Sequence, residues 1–369
     1  MKYNGLITEY QKSVGTELPY WDYGVVEDGT KKIDPILHYG CFTLGYNQPS
    51  IVDKVADTVK NLKPEMAETL IPNETLRLNH VSFKLQDRLK ALTGYNSFYC
   101  LSGSDANEGA VKLASAYHHA RGNRNKNTVV SFLDSYHGST FLTSSIGCEN
   151  LMADPFYTMN RYSGVKRVSR RFKIEDIDWT EVSAIMVETC SYGGDMTPNS
   201  DEFWHKLKTI QQDHDVLLIV DDIFMGGGKT GNYVGWKHLP VTPDIFTMGK
   251  AITGGFFPLA ITFYSDNVKQ SLPDNFRWDH GFTYNFSIPG VVSALEYLDM
   301  LEQDKILDRH DELVSRASKV FESAGYHVLN RFGLYFMVRK QSHGMLYMIP
   351  MNATDEYFNI LERNLNDSN

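Results

Sequence analysis

Short apolar runs alternate along the chain with longer segments whose apolar positions recur at helical spacing. Ser97–Leu101, Thr128–Leu133, Ala184–Val187, Val216–Val220, Ile245–Met248 and Leu259–Tyr264 read as strands. Asn107–Arg121, Glu202–His214 and Gly290–Leu301 read as helices. This alternation predicts an α/β fold, a mainly parallel sheet flanked by helices. The segment before residue 60 differs: it is rich in aromatic and turn residues, with one clear helix, Ser50–Asn61. After residue 285 the pattern is helical and then strand-like, at Tyr335–Arg339 and Met345–Ile349. The expected organisation is a large domain over 60–285 and a small α+β domain built from both ends, 1–59 and 286–369. There is no internal repeat and no low-complexity linker.

Composition narrows the class. A chain of 369 residues with 42% apolar content can bury a large core and suggests about two domains. The net charge of -9 argues against a nucleic-acid partner. The nearest thing to a basic stripe, Lys166-Arg167 with Arg170-Arg171, is too short to carry one. Cys41, Cys100, Cys148 and Cys190 are scattered without a CxxC pair, which suits reduced thiols in a cytosol. Met1-Lys2-Tyr3-Asn4-Gly5 has no apolar signal core, and no stretch approaches the roughly 20 apolar residues of a membrane helix. A cytoplasmic protein with no membrane partner is expected.

The candidate chemistry lies at strand ends. Lys250 follows the run Ile245–Met248 and precedes the Gly254-Gly255 turn. It is placed to be a partly desolvated amine with a lowered pKa. Upstream, Val216–Val220 ends in Asp221-Asp222, where strand-end acids face the ligand crevice of α/β proteins. A lysine and an acid so placed are the pair a pyridoxal phosphate enzyme needs. The lysine forms a Schiff base with the cofactor aldehyde, and the acid keeps the pyridine nitrogen protonated. Gly103-Ser104-Asp105 opens a helix after a strand, which suits either a phosphate cradle or an ordinary helix cap. Tyr136-His137 follows another strand, where a ring can stack on a flat cofactor or simply pack. His280-Gly281-Phe282-Thr283 offers a hydroxyl beside glycine, for phosphate or for a plain turn.

Two decoys are set aside. Gly226-Gly227-Gly228-Lys229-Thr230 looks like the end of a P-loop, but the glycine that pattern requires falls on Ile223. His118 and His119 are adjacent on a helix and point about 100° apart, so they do not share an ion readily, and no metal is assigned.

Taken in order, Gly103–Glu108, Tyr136-His137-Gly138, Asp221-Asp222-Ile223 with its glycine cluster, Gly249–Gly255 and His280–Tyr284 resemble the class III aminotransferases. These are pyridoxal phosphate enzymes of fold type I. The resemblance runs from roughly Gly45 to Leu301. Within the class, Gly45–Pro49 and Gly249–Gly255 are similar to 7,8-diaminopelargonate synthase, the aminotransferase of biotin synthesis. The resemblance implies Lys250 as the Schiff-base lysine and Asp221 as the pyridinium partner. It implies Gly103 and Ser104 on the phosphate, with Asp105, His137 and Glu188 also at the cofactor. Tyr136 would line the ring and the substrate, and Tyr39 and Gly281 would meet the substrate. Thr283 would bind phosphate across a subunit interface, which implies a homodimer. The implied activity is ping-pong transfer of an amino group from an amine donor to a keto or aldehyde acceptor. An aminomutase, a racemase or a catalytically reduced relic would keep the same pair.

The departures are Asp222 for the usual glutamate, Lys229 for the usual arginine and Thr189 for the usual proline. The chain also passes from Tyr335–Arg339 directly to Gly344–Pro350. Relatives carry there a segment leading to an arginine that grips the substrate carboxylate. Here the local sequence is Lys340-Gln341-Ser342-His343.

Overall fold

The computed structural model describes residues 20–61, 80–147, 162–191, 196–341 and 343–367. Strands β1 (Tyr20–Trp21), β2 (Gly24–Glu27) and β3 (Thr30–Ile33) form a small antiparallel sheet, followed by helix α1 (Pro49–Lys60). Helix α2 (His80–Thr93) leads to β4 (Asn96–Cys100), α3 (Gly103–Ala120), β5 (Thr128–Phe132) and α4 (Phe141–Ile146). Then come β6 (Val165–Val168), β7 (Val182–Glu188), α5 (Asp201–Asp213) and β8 (Leu217–Asp221). Next are β9 (Ile245–Met248), β10 (Ala260–Tyr264), α6 (Asp266–Gln270), α7 (Ile288–Gln303) and α8 (His310–Ser323). Strands β11 (His327–Phe332), β12 (Tyr335–Lys340) and β13 (His343–Met348) form a second antiparallel sheet before α9 (Asp355–Asp367).

The central sheet has the order β4-β10-β9-β8-β7-β5-β6. Strand β10 runs antiparallel to both neighbours, and the remaining pairs are parallel. Every residue of β7, β8 and β9 is buried, which is why these strands read as unbroken apolar runs. Their side chains divide by parity. Ile185, Val187, Leu218, Val220 and Phe246 enter one cluster, while Ala184, Met186, Leu217, Ile219 and Ile245 enter the other.

Helix α3 begins at Gly103, four residues before the apolar pattern predicts. The Ser102 hydroxyl accepts the Asp105 N–H at 3.2 Å and caps it. Apolar periodicity marks only the buried stripe, so this polar first turn escaped it. Strand β8 likewise extends one residue further than predicted and includes Asp221. Strand β6 and helices α2, α8 and α9 were not foreseen. Strand β6, Val-Lys-Arg-Val, sits at the sheet edge and is only half-buried, so it lacks a continuous apolar run.

Both ends of the chain meet. The rings of Tyr23 and Tyr357 are 5.1 Å apart, and Asn364 Oδ1 accepts the Ile33 N–H at 2.9 Å. One apolar cluster runs from Trp21 through Phe246 to Leu365, so the small sheets share a core with the large one. Strands β12 and β13 pair directly, Lys340 opposite His343. Cys41, Cys100 and Cys190 are free thiols, whereas Cys148 and Met1–Gly5 lie outside the described residues. Among the described residues no helix is long and apolar enough to cross a membrane.

Candidate active site

Strands β7, β8 and β9 run parallel, so their C-terminal ends lie along one edge. Register places Glu188 beside Asp221 and Asp221 beside Thr247. Above this edge is a cavity of about 160 Å³. Asp221, Glu188 and His137 line it together with Lys250. Gly103, Ser104 and Gly138 line it at the N-terminus of α3, and Tyr136, Ile223 and Phe224 supply apolar surface.

The paired acids separate cleanly. Consecutive strand residues point to opposite faces. Asp221 faces the cavity side: its Oδ2 accepts from Asn107 Nδ2 at 2.7 Å and pairs with His137 Nδ1 at 2.8 Å. Its Oδ1 accepts the Ile223 N–H at 3.1 Å. Asp222 points away, fully buried, and accepts from the Thr189 hydroxyl at 2.6 Å and the Gly235 N–H at 2.7 Å. Burial pushes its pKa from the ordinary 3.8 up to about 7.

Lys250 comes directly after Gly249 at the end of β9 and adopts left-handed backbone, φ +51°. A non-glycine residue in that region costs about 1–2 kcal/mol, which the surrounding packing must offset. Burial pushes its amine below the ordinary lysine range, while Cys41, Asp221 and Glu188 pull the other way. A desolvated amine of lowered pKa is the better nucleophile and base near neutral pH.

The N-terminus of α3, the expected phosphate cradle, faces a second wall. Ser104 Oγ accepts the Ser139 N–H at 3.2 Å. Gly138 lies against it at φ +125°, where a Cβ would stand 2.2 Å from that hydroxyl oxygen. Free N–H groups and a hydroxyl at the start of an 18-residue helix suit an anion.

Of the residues expected from sequence, Gly103, Ser104, Tyr136, His137, Glu188, Asp221 and Lys250 share this one cavity. Asp105 does not line it. Its carboxylate accepts the Leu101 N–H at 2.9 Å and pairs with His280 Nε2 at 2.9 Å. Tyr39 and Thr283 are exposed, Gly281 is exposed at φ +157°, and none of the three lines the cavity. Lys229 is fully buried and reaches the Gly40 carbonyl at 3.4 Å, which is no P-loop role. Sequence reasoning missed Asn107, Gly138, Ile223 and Phe224 as lining residues. Asn107 is four positions after Gly103 on α3, so the helical repeat could have flagged it.

The class-III aminotransferase family model matches residues 20–331, and the chain belongs to that family. It is 27% identical over 307 residues to an uncharacterised aminotransferase, y4uB, of Sinorhizobium fredii, covering 75% of this chain and 64% of that protein. It is 25% identical over 306 residues to the acetylornithine aminotransferase of Methanocaldococcus jannaschii, covering 81% of this chain and 73% of that one. The match therefore spans less than two thirds of the first relative's length. Among solved structures, an amine transaminase from an uncultivated Pseudomonas species in its PLP-bound form superposes with a TM-score of 0.79. That likeness, at 18% identity, covers 94% of this chain and 93% of that one and establishes the fold type I architecture.

Proposed function

We propose that the chain is a pyridoxal-phosphate-dependent transaminase that moves an amino group from an amine donor to a keto or aldehyde acceptor in two half-reactions. The observation that carries this is Lys250 and Asp221 in one cavity, at the ends of adjacent parallel strands.

The residues present fit the cofactor. The His137 Nε2 atom is buried in the cavity wall with no hydrogen-bond partner among the described residues, and Gly138 leaves the space a Cβ would fill. Lys250 would hold the cofactor covalently through Nζ. Asp221, held by His137 and Asn107, would keep the ring nitrogen protonated. Gly103 and Ser104 would take the phosphate, while Tyr136, His137 and Glu188, which line the same cavity, would border the ring. When bound, pyridoxal phosphate supplies an electron sink for charge developing on the substrate carbon. The Lys250 Nζ would act as general base and accept the proton from that carbon. Its lowered pKa keeps a larger share of it neutral for that task. The Thr283 hydroxyl serves the phosphate of a second copy of the chain, which makes the enzyme a homodimer and accounts for its exposure here. Tyr39 and Gly281 belong to the substrate side of that interface. Free Cys41, Cys100 and Cys190 suit a reducing cytoplasm.

Within transamination we favour a specificity like that of 7,8-diaminopelargonate synthase, supported by the Gly45–Pro49 and Gly249–Gly255 stretches. Purified enzyme mixed with single amine donors, S-adenosylmethionine among them, should lose its visible cofactor absorbance with the true donor. No bleaching by S-adenosylmethionine would remove this finer reading. For the reaction itself, Lys250→Ala should abolish turnover and the borohydride-trappable lysine adduct. Wild-type transamination by that variant would refute the assignment.

A further inference from the structure

One wall of the cavity beside the reactive amine is an aromatic ring. Lys250 Nζ stands over the face of Phe224, 4.6 Å from the ring centroid. Phe224 is buried and is itself stacked with Tyr335, centroids 4.4 Å apart and planes at 25°. Tyr335 opens β12 of the C-terminal sheet and is 1% exposed. Its hydroxyl is packed against Gly40, where a Cβ would come within 1.8 Å of that oxygen. Thus an unbroken line of contacts joins the C-terminal sheet to the nitrogen that does the chemistry.

We infer that Phe224 is a positioning residue that holds the Lys250 nitrogen by the face of its ring, and that Tyr335 holds Phe224 in turn. The inference rests on the transaminase reading above. An aromatic face carries negative charge density and attracts a cation, so it favours the protonated nitrogen over the neutral one. This acts on Lys250 whether the nitrogen is free or bonded to cofactor. Other groups face the same amine. Asp221 at the end of β8, Glu188 at the end of β7 and Cys41 after the Leu37–Gly40 turn favour its charge. Burial opposes it, and Lys250 in turn lowers the pKa of Lys229 in the glycine loop after β8. Tyr136 and His137 line the same cavity. The ring is thus a counterweight to desolvation that adds no second charge to a buried site.

The test is a pair of titrations on purified holoenzyme. One follows the visible absorbance of the bound cofactor against pH, and the other follows kcat/KM against pH. Phe224→Leu keeps apolar volume and removes the ring. It should move the titration and the acidic limb of the profile to lower pH by about half a unit to one unit. Phe224→Tyr should restore the wild-type values. Tyr335→Leu should repeat the shift in part, and Tyr335→Phe should not. Superposable curves for wild type and Phe224→Leu, or equal shifts for the leucine and tyrosine variants, overturn the inference. Should Phe224→Leu fail to retain cofactor, Tyr335→Leu is judged by the same two outcomes. A wild-type protein with no cofactor absorbance would instead overturn the transaminase reading, so the two failures are distinct.

Discussion

Asn107 shows how one residue fixes the acid that matters. Its amide donates to Asp221 Oδ2 and to the His137 carbonyl at 2.8 Å, and its oxygen accepts from Thr247 at 2.7 Å. Every polar atom of a fully buried side chain is thereby satisfied. Asn107→Leu should strand three buried partners. The expected result is at least tenfold weaker cofactor retention and a loss of about 2–3 kcal/mol in urea unfolding. A variant with unchanged retention would remove Asn107 from the site. Asp222 makes a pH prediction. Its carboxyl titrates near 3.8 unfolded and near 7 in the fold. Between those values the fold keeps a proton that the unfolded chain has released. Its stabilising contribution is complete below the lower value and is lost as pH rises through the upper one. Asp222→Asn can still accept from Gly235 and donate to Thr189, so it should flatten the fall in urea midpoint between about pH 4 and 7. At this scale the residue pattern showed the lysine plainly, but only the family resemblance chose Asp221 over the adjacent Asp222. The phase of the pleat separates them, and that phase depends on which side of the strand the helices cover.

Elements divide the labour between the two ends of the sheet. At the end opposite the cavity, Lys126 is buried and shares its three N–H groups among four carbonyls: Trp179 at 3.2 Å, Val182 at 3.1 Å, and His214 and Asp215 at 2.9 Å. One ammonium thus joins the approaches to β5, β7 and β8. Lys126→Met should cost about 3 kcal/mol in urea unfolding while leaving kcat at 25 °C unchanged. A parallel loss of kcat would show that the two ends are coupled. At the cavity end, the turn after β5 must bring Gly138 against Ser104. Gly138→Ala adds a methyl where the backbone already has positive φ, so cofactor should dissociate at least tenfold faster, measured by dialysis against buffer. Most strands of the central sheet were legible because their burial on both faces leaves unbroken apolar runs. The first turn of α3 lacks an apolar pattern and was legible only from the Gly103-Ser104-Asp105 signal after a strand.

For the whole molecule, the proposed homodimer draws its support from the exposed run Gly281–Tyr284. Phe282 and Tyr284 are 57% and 65% exposed, unusual for large rings with no partner surface. Sedimentation should give about twice the chain mass of 42.0 kDa. Mixing inactive Lys250→Ala with Thr283→Ala after partial unfolding should regain about a quarter of wild-type activity, because half of the sites in each heterodimer are intact. No recovery would place Thr283 outside the partner subunit's site. The sequence by itself marked most strands of the central sheet, and it pointed to Lys250 and to the loops proposed to hold the cofactor, since each is encoded within a few consecutive residues. Only the tertiary structure gave the physical reason why Asp221, and not Asp222, lines the cavity. Only it joined Asn107, His137 and Asp221, or brought Tyr335 behind Phe224 beside Lys250. Those choices depend on contacts between residues far apart in sequence, up to 114 positions, which exist only once the sheet has assembled.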